Sequence, residues 1–65
     1  MGTGLTRRQR HIIKLASEGY IDKEISDQLS ISQNTLKDHW RRIRIRLEAK
    51  NKAHVIGKSA KLGII

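Results

Sequence analysis

The residues best suited to chemistry in this sequence are the lysines and arginines between positions 37 and 52. Seven such side chains stand against two carboxylates, Asp38 and Glu48, which leaves a local net charge of +5. The seven are Lys37, Arg41, Arg42, Arg44, Arg46, Lys50 and Lys52. Guanidinium and ammonium groups bind phosphate oxygens and the paired acceptors on the edge of guanine. Since the whole chain carries +8, the pattern indicates a polyanionic partner, with nucleic acid as the first candidate.

The charge is unevenly distributed along the chain. Residues 18–27 contain four carboxylates and one lysine, for a net charge of −3. A generally solvated basic surface would not require this segregation. Positive charge concentrated in one helix-length segment indicates instead a face presented to a partner.

Length and composition exclude several classes of protein. Sixty-five residues are enough for one domain, and the absence of cysteine excludes disulfides and thiolate metal sites. The three histidines are scattered, so neither a metal nor a cofactor is expected. The chain offers no nucleophile with an oriented base, no glycine-rich phosphate loop and no paired carboxylates in a plausible pocket. We therefore expect that it is not an enzyme.

The hydropathy pattern bears on location. No apolar run approaches the roughly 20 residues that a membrane span requires. The N-terminus also lacks the apolar segment of a signal peptide. These features predict a cytoplasmic protein without a membrane partner.

The elements that must position the cations are predicted to be α-helices. Proline is absent and apolar residues recur at helical spacing, so the predicted fold class is all-α. Thr6 and Gln9 have the spacing of a capping box, which predicts a first helix that ends before Gly19. Asp22 is the predicted N-cap of a short second helix.

Two further helices are predicted in the second half of the chain. Ser32 is a suitable N-cap for a third, longer helix over about residues 33–49, because its hydroxyl can accept from a free N–H of the first turn. Asn51 can cap a fourth helix over about residues 52–62, which Gly63 would end.

The third helix has two different faces. At about 100° per residue, one apolar stripe faces the core. The stripe consists of Leu36, Trp40, Ile43 and Leu47. The opposite side carries Asn34, Lys37, Asp38, Arg41, Arg42 and Ile45. If Trp40 is buried, its indole N–H needs a hydrogen-bond partner.

Several motifs together resemble a known family. They are Leu5-Thr6-Arg7-Arg8-Gln9, Gly19-Tyr20-Ile21-Asp22-Lys23-Glu24-Ile25, Leu29-Ser30-Ile31-Ser32, Thr35-Leu36-Lys37-Asp38-His39, Ile43, Arg46-Leu47 and Asn51-Lys52. In this register the chain resembles the LuxR-type (NarL/FixJ-like) DNA-binding domain. The resemblance implies a four-helix helix-turn-helix domain over residues 5–65, preceded by a flexible leader at residues 1–4. It further implies sequence-specific binding of double-stranded DNA by a bacterial transcriptional regulator.

Some positions depart from the family pattern. Glutamate is usual where this chain has Gln9, and serine or threonine where it has Ile21. A Gly-Val pair is usual where it has Glu48 and Ala49. Because Ile21 cannot accept a capping hydrogen bond, Asp22 is expected to cap the second helix instead. These departures concern local stability rather than the expected DNA-binding face.

The resemblance and the helix geometry imply the same site. With the third helix in the major groove, its N-terminal half approaches base edges, so Lys37, Asp38 and Arg41 are the predicted base contacts. Contacts to the DNA backbone are predicted for Lys23, Thr35, Asn34, Arg42, Arg44, Arg46 and Lys50. An Asp38 that makes no base contact would be solvated or paired within its helix.

The fourth helix is predicted to mediate a homodimer on DNA. The first three helices are expected to close the core, which leaves a strip of small and apolar residues on the fourth helix as the proposed interface. The strip consists of Val55, Ile56, Ser59 and Ala60. Two-fold symmetry of the dimer would require an inverted-repeat site.

One alternative function comes from a different class of protein. A module resembling region 4 of a bacterial sigma factor would dock on RNA polymerase. The fourth helix after Asn51-Lys52 and the histidine at position 39 argue against it. Binding to an anionic membrane is disfavoured by the mixed charges of the second helix.

Overall fold

The computed structural model describes residues 4–65, which form four α-helices. These are α1 (Arg7–Ser17), α2 (Asp22–Leu29), α3 (Gln33–Leu47) and α4 (Lys52–Lys61). No strand occurs in the described part of the chain. The all-α prediction is therefore confirmed. Within residues 4–65, no helix is both long and apolar enough to cross a membrane.

The predicted start of α1 is confirmed by its hydrogen bonds. The Gln9 N–H donates to Thr6 Oγ1 at 3.0 Å, and the Thr6 N–H donates to Gln9 Oε1 at 2.9 Å. Both halves of the capping box are therefore formed. At the other end, Gly19 has φ 97° and lets the chain turn toward α2.

The predicted cap of α2 is wrong. The N-cap is Ile21, whose backbone N–H donates to Glu24 Oε1 at 3.0 Å, while Asp22 is the first helical residue. Because isoleucine has no side-chain acceptor, only the Glu24 half of a capping box forms. The Asp22 carboxylate is thereby left free for contacts outside the helix.

The start of α3 is confirmed, and its end comes two residues earlier than predicted. Ser32 Oγ accepts from the Thr35 N–H at 3.0 Å. At the C-terminus Glu48 takes a left-handed conformation, with φ 52°, and α3 stops at Leu47. Lys58 Nζ donates to the carbonyls of Leu47 at 2.8 Å and Glu48 at 3.1 Å. A lysine of α4 thus satisfies carbonyl groups that the end of α3 leaves unpaired.

The core is aliphatic and is built around the predicted stripe of α3. Leu36 and Ile43 are fully buried, while Trp40 is 3% and Leu47 is 7% exposed. The other core residues are Leu5, Ile12, Ile13, Leu15, Ile25 and Val55. Since α4 packs against both α1 and α3, it completes this core.

Burial corrects half of the predicted interface on α4. Val55 and Ser59 are both 0% exposed, so they cannot contact a second copy in this conformation. They were predicted to face outward because three helices were expected to close the core, whereas α4 is needed to cover α1 and α3. Ile56 is half-buried and Ala60 is exposed, and these two remain at the surface.

The predicted leader at residues 1–4 is described only at its last residue. Residues 1–3 lie outside the described part of the chain. Gly4 is exposed, with φ 82°, and lies against the side chain of Arg46. Leu5, which follows it, already belongs to the core.

Candidate nucleic-acid interface

The site is built on α2, a tight turn and α3. Ser30 ends α2 in a left-handed conformation with φ 55°, and the Ile31 N–H donates to the Ser26 carbonyl at 3.0 Å. Ser32 then caps α3. This three-residue connection sets the two helices against each other in a helix-turn-helix unit, with the polar side of α3 outward.

An open groove of about 580 Å³ runs along one side of α3. It is lined by Asp22, Asn34, Lys37, Asp38, Trp40, Arg41, Arg44 and Lys52. We call it the α3 groove. All three predicted base contacts border it, together with the predicted backbone contacts Asn34 and Arg44. Residues from three helices thus form one surface that is rich in positive charge.

Two predicted backbone contacts lie on the side of α3 that faces away from the α3 groove. Arg42 and Arg46 border a second depression together with Gly4 and Ile45. Arg46 is turned toward the chain ahead of α1, since a Cβ added at Gly4 would lie 2.8 Å from Arg46 Nη1. Its guanidinium therefore points away from the α3 groove.

The remaining predicted contacts border neither depression. Lys23 is exposed in the first turn of α2, and Lys50 is exposed between α3 and α4. Thr35 lies in the first turn of α3, and its Oγ1 is 2.9 Å from Ser32 Oγ. Lys23 and Thr35 thus lie near the N-termini of their helices, whereas Lys50 lies in the connection between α3 and α4.

Asp38 is paired within its own helix. Its Oδ1 lies 2.8 Å from Arg41 Nη2, and its Oδ2 lies 3.0 Å from Arg42 Nε. One carboxylate therefore bridges arginines that point toward the two sides of α3. The intrahelical alternative considered for Asp38 is realised in the free domain, and its other proposed role, a base contact, concerns the bound state.

Sequence reasoning missed a cluster at the floor of the α3 groove. Trp40 Nε1 donates to Asp22 Oδ1 at 3.1 Å, and Lys52 Nζ pairs with Asp22 Oδ2. The Lys52 ammonium also lies 5.2 Å from the centroid of the Trp40 ring, within cation–π range. The burial of Trp40 indicated that a partner was needed, but no local pattern could identify one 18 residues away. The cluster fastens α2, α3 and α4 to one another.

Across residues 4–65, no three His, Cys, Asp or Glu side chains are grouped so that they could hold a metal ion.

Fold and surface together define the class as a helix-turn-helix DNA-binding domain. The family model described as "Bacterial regulatory proteins, luxR family" matches residues 3–58. The chain is 34% identical over 59 residues to the transcriptional regulatory protein DesR of Bacillus subtilis (strain 168), with 91% of this chain and 30% of DesR covered. It is 33% identical over 60 residues to the regulatory protein SdiA of Escherichia coli (strain K12), with 92% and 25% covered.

The chain belongs to the luxR family of bacterial regulatory proteins. The resemblance inferred from the motifs is therefore confirmed. The family comprises DNA-binding transcription regulators rather than enzymes. The chain spans less than a third of the length of the two relatives.

Proposed function

We propose that this domain binds double-stranded DNA sequence-specifically, with α3 lying in the major groove. The observation that carries the proposal is the exposed basic face of α3, directly opposite its buried stripe. A helix whose core side is fixed by Leu36 and Ile43 presents its other side in a constant orientation. An α-helix fits the major groove, where every base pair shows a distinct pattern of donors and acceptors.

In this proposal the α3 groove contains the residues that read bases. Lys37 and Arg41 are exposed and carry the charge and donors that favour guanine O6 and N7. Asp38 can accept only from a base that offers an amino group in the major groove, such as cytosine through N4. The three side chains lie within two turns of helix, which limits them to adjacent base pairs.

In this proposal the other predicted contacts, most of them cations, position the domain on the DNA backbone. Lys23 and Thr35 lie near the N-termini of α2 and α3, where backbone N–H groups favour phosphate oxygens. The remaining proposed backbone contacts are Asn34, Arg42, Arg44, Arg46 and Lys50. Arg46 must release the chain near Gly4 to reach a phosphate, so we expect it to contribute least.

Base contacts and backbone contacts can be separated by mutation. Random-site selection on duplex DNA identifies the sequence that the domain prefers, which we call the selected duplex. On this duplex, Arg41→Ala should weaken binding by about 1–3 kcal/mol and relax the preference at one base position. Lys23→Ala should weaken binding to all duplexes about equally, because a phosphate carries no sequence information. Fluorescence anisotropy on the selected duplex and on a scrambled duplex measures both effects.

The matched control is Arg41→Lys, which keeps the charge but loses the two-pronged donor geometry. It should retain binding to scrambled DNA and show a weaker preference than the parent at the base position that Arg41→Ala relaxes. If instead Arg41→Ala weakens both duplexes equally, Arg41 is a phosphate contact and not a reader of bases.

We further propose that two copies bind an inverted repeat through the outward side of α4. Ala60 is exposed and Ile56 is half-buried one turn before it, so a small surface would allow close approach of two helices. Because this surface is narrow, the free domain should be monomeric or only weakly dimeric. Pairing would then depend on DNA or on a further part of the regulator.

Charge placed on this surface should prevent pairing. We expect both Ala60→Glu and Ala60→Lys to bind an inverted repeat one copy at a time, whereas the parent domain binds two to one. The two variants have opposite electrostatic effects on DNA affinity. If both lose the two-to-one complex, the cause is therefore the disrupted interface and not the changed charge. Sedimentation of the complexes measures it. A two-to-one complex with either variant, at the parent affinity, would reassign α4 to packing within the monomer alone.

The proposed regulatory role also bears on the location and the partners of the protein. A regulator that acts on bacterial DNA works in the cytoplasm, as expected from the sequence. We also propose RNA polymerase as a partner of the whole regulator. The sigma-factor alternative is disfavoured, since the family match and both relatives are luxR-type regulators.

A further inference from the structure

Asp38 has an unusual position for an acidic residue in a basic helix. It is the sole carboxylate of α3, which carries five lysine and arginine side chains. Each of its oxygens is engaged with a different guanidinium, those of Arg41 and Arg42. Both arginines are otherwise about two-thirds exposed, at 65% and 67%. The carboxylate is therefore the main contact of two groups that face the proposed partner.

We propose that Asp38 is a specificity-determining residue that acts by holding Arg41 and Arg42 away from DNA of the wrong sequence. The inference rests on the proposed function and assigns this ion-paired cluster a role in discrimination. The two ion pairs of Asp38, with Arg41 and with Arg42, both break only where the duplex supplies a replacement for each of them.

Binding to an arbitrary duplex illustrates the effect. For Arg41 and Arg42 to turn their full set of donors toward DNA, each must give up the nitrogen that binds Asp38, Nη2 of Arg41 and Nε of Arg42. The carboxylate is then close to phosphate oxygens and to base acceptors, which repel it. The lost ion pairs and the new repulsion both oppose binding. Non-specific affinity is therefore kept low, although the rest of the face is strongly basic.

Binding to the preferred duplex differs at one base pair. An amino group in the major groove, from cytosine N4 or adenine N6, can donate to the freed Asp38 carboxylate, while Arg41 binds an adjacent guanine. Each broken ion pair is replaced by a contact to a base, so breaking the pairs costs little binding free energy. Discrimination thus comes partly from rejection of the wrong sequence and not only from attraction to the right one.

The test compares Asp38→Asn with the parent on the selected duplex and on a scrambled duplex of equal length and base composition. We expect Asp38→Asn to bind the scrambled duplex about three- to tenfold more tightly, because two guanidinium groups are released. Its plot of log affinity against log salt on that duplex should be steeper by about one. Binding to the selected duplex should weaken, because the base amino group loses its carboxylate acceptor, so the ratio of the two affinities falls.

Two control variants separate this role from a general effect of charge. Asp27→Asn removes one negative charge from an exposed position on α2 and should leave the affinity ratio near that of the parent. Asp38→Glu keeps a carboxylate within reach of both arginines and should restore weak binding to scrambled DNA. Trp40 emission confirms that each variant is folded.

The outcomes are distinct. Equal tightening by Asp27→Asn and Asp38→Asn would mean that net charge alone sets non-specific binding, and the inference about Asp38 would be wrong. An unchanged ratio for Asp38→Asn would have the same consequence, with the proposed DNA binding intact. A parent domain that binds neither duplex would overturn the proposed function and the role of Asp38 together.

Discussion

Replacing Leu36 with alanine should lower the free energy of unfolding by about 2–5 kcal/mol, because Leu36 is fully buried at the centre of the core. A core of this size rarely supplies more than about 3–5 kcal/mol in total. Much of the variant should therefore be unfolded at room temperature.

The unfolding transition can be followed through Trp40. Trp40 is 3% exposed in the folded domain, so its emission should be blue-shifted and should move to the red on denaturation in urea. Ile45→Ala is the matched control, since Ile45 lies on the same helix and is 71% exposed. We expect its effect to stay within about 0.5 kcal/mol. Equal losses for Leu36→Ala and Ile45→Ala would mean that the two faces of α3 are wrongly assigned.

Local signals were sufficient to predict most of the fold. The caps at Thr6, Ser32 and Asn51 depend on side chains within three residues of the N–H groups that they satisfy. The stripe of α3 follows from helical spacing alone. Such features require no knowledge of neighbouring helices, which is why the sequence was enough.

Apart from the cap of α2, which is decided locally by Ile21 and Glu24, the errors arose where a distant part of the chain decides the local structure. The last carbonyls of α3 bind Lys58, which is 11 residues further along in α4, and this contact accompanies the early end at Leu47. Val55 and Ser59 are buried because α4 covers α1 and α3, a packing that no pattern within α4 reveals. Both corrections concern tertiary contacts and not helix propensity.

The candidate site was predictable to a similar degree. Helical geometry correctly grouped Lys37, Asp38 and Arg41 on one exposed face, and these border the same groove. It could not indicate that Arg46 would lie against Gly4, nor that Asp22 would bind both Trp40 and Lys52. Those contacts join residues far apart in sequence, so only the folded chain brings them together.

The cluster beneath the groove links stability to the proposed function. Asp22, Trp40 and Lys52 fasten α2 and α4 to α3, and they line the same groove as the side chains proposed to read bases. A recognition helix fixed in this way loses little conformational entropy on binding. The rigid face also keeps Arg41 and Arg42 within reach of Asp38 in the free domain.

The dependence of duplex affinity on salt tests the central claim most directly, that the exposed cations of α3 and its flanks bind DNA. Contacts to about five to eight phosphates per bound unit would displace a corresponding number of counterions. A plot of log affinity against log salt should then have a slope of roughly −4 to −7. Between 50 and 200 mM salt, the affinity should fall by roughly 10²- to 10⁴-fold.

The measurement is a titration of fluorescently labelled duplex DNA with the domain at several salt concentrations, followed by anisotropy. We predict a linear plot with the steep negative slope given above, together with tighter binding to the selected duplex than to a scrambled one at every salt concentration. A slope near zero, or no binding to duplex DNA even at low salt, would contradict the assignment of this surface to DNA.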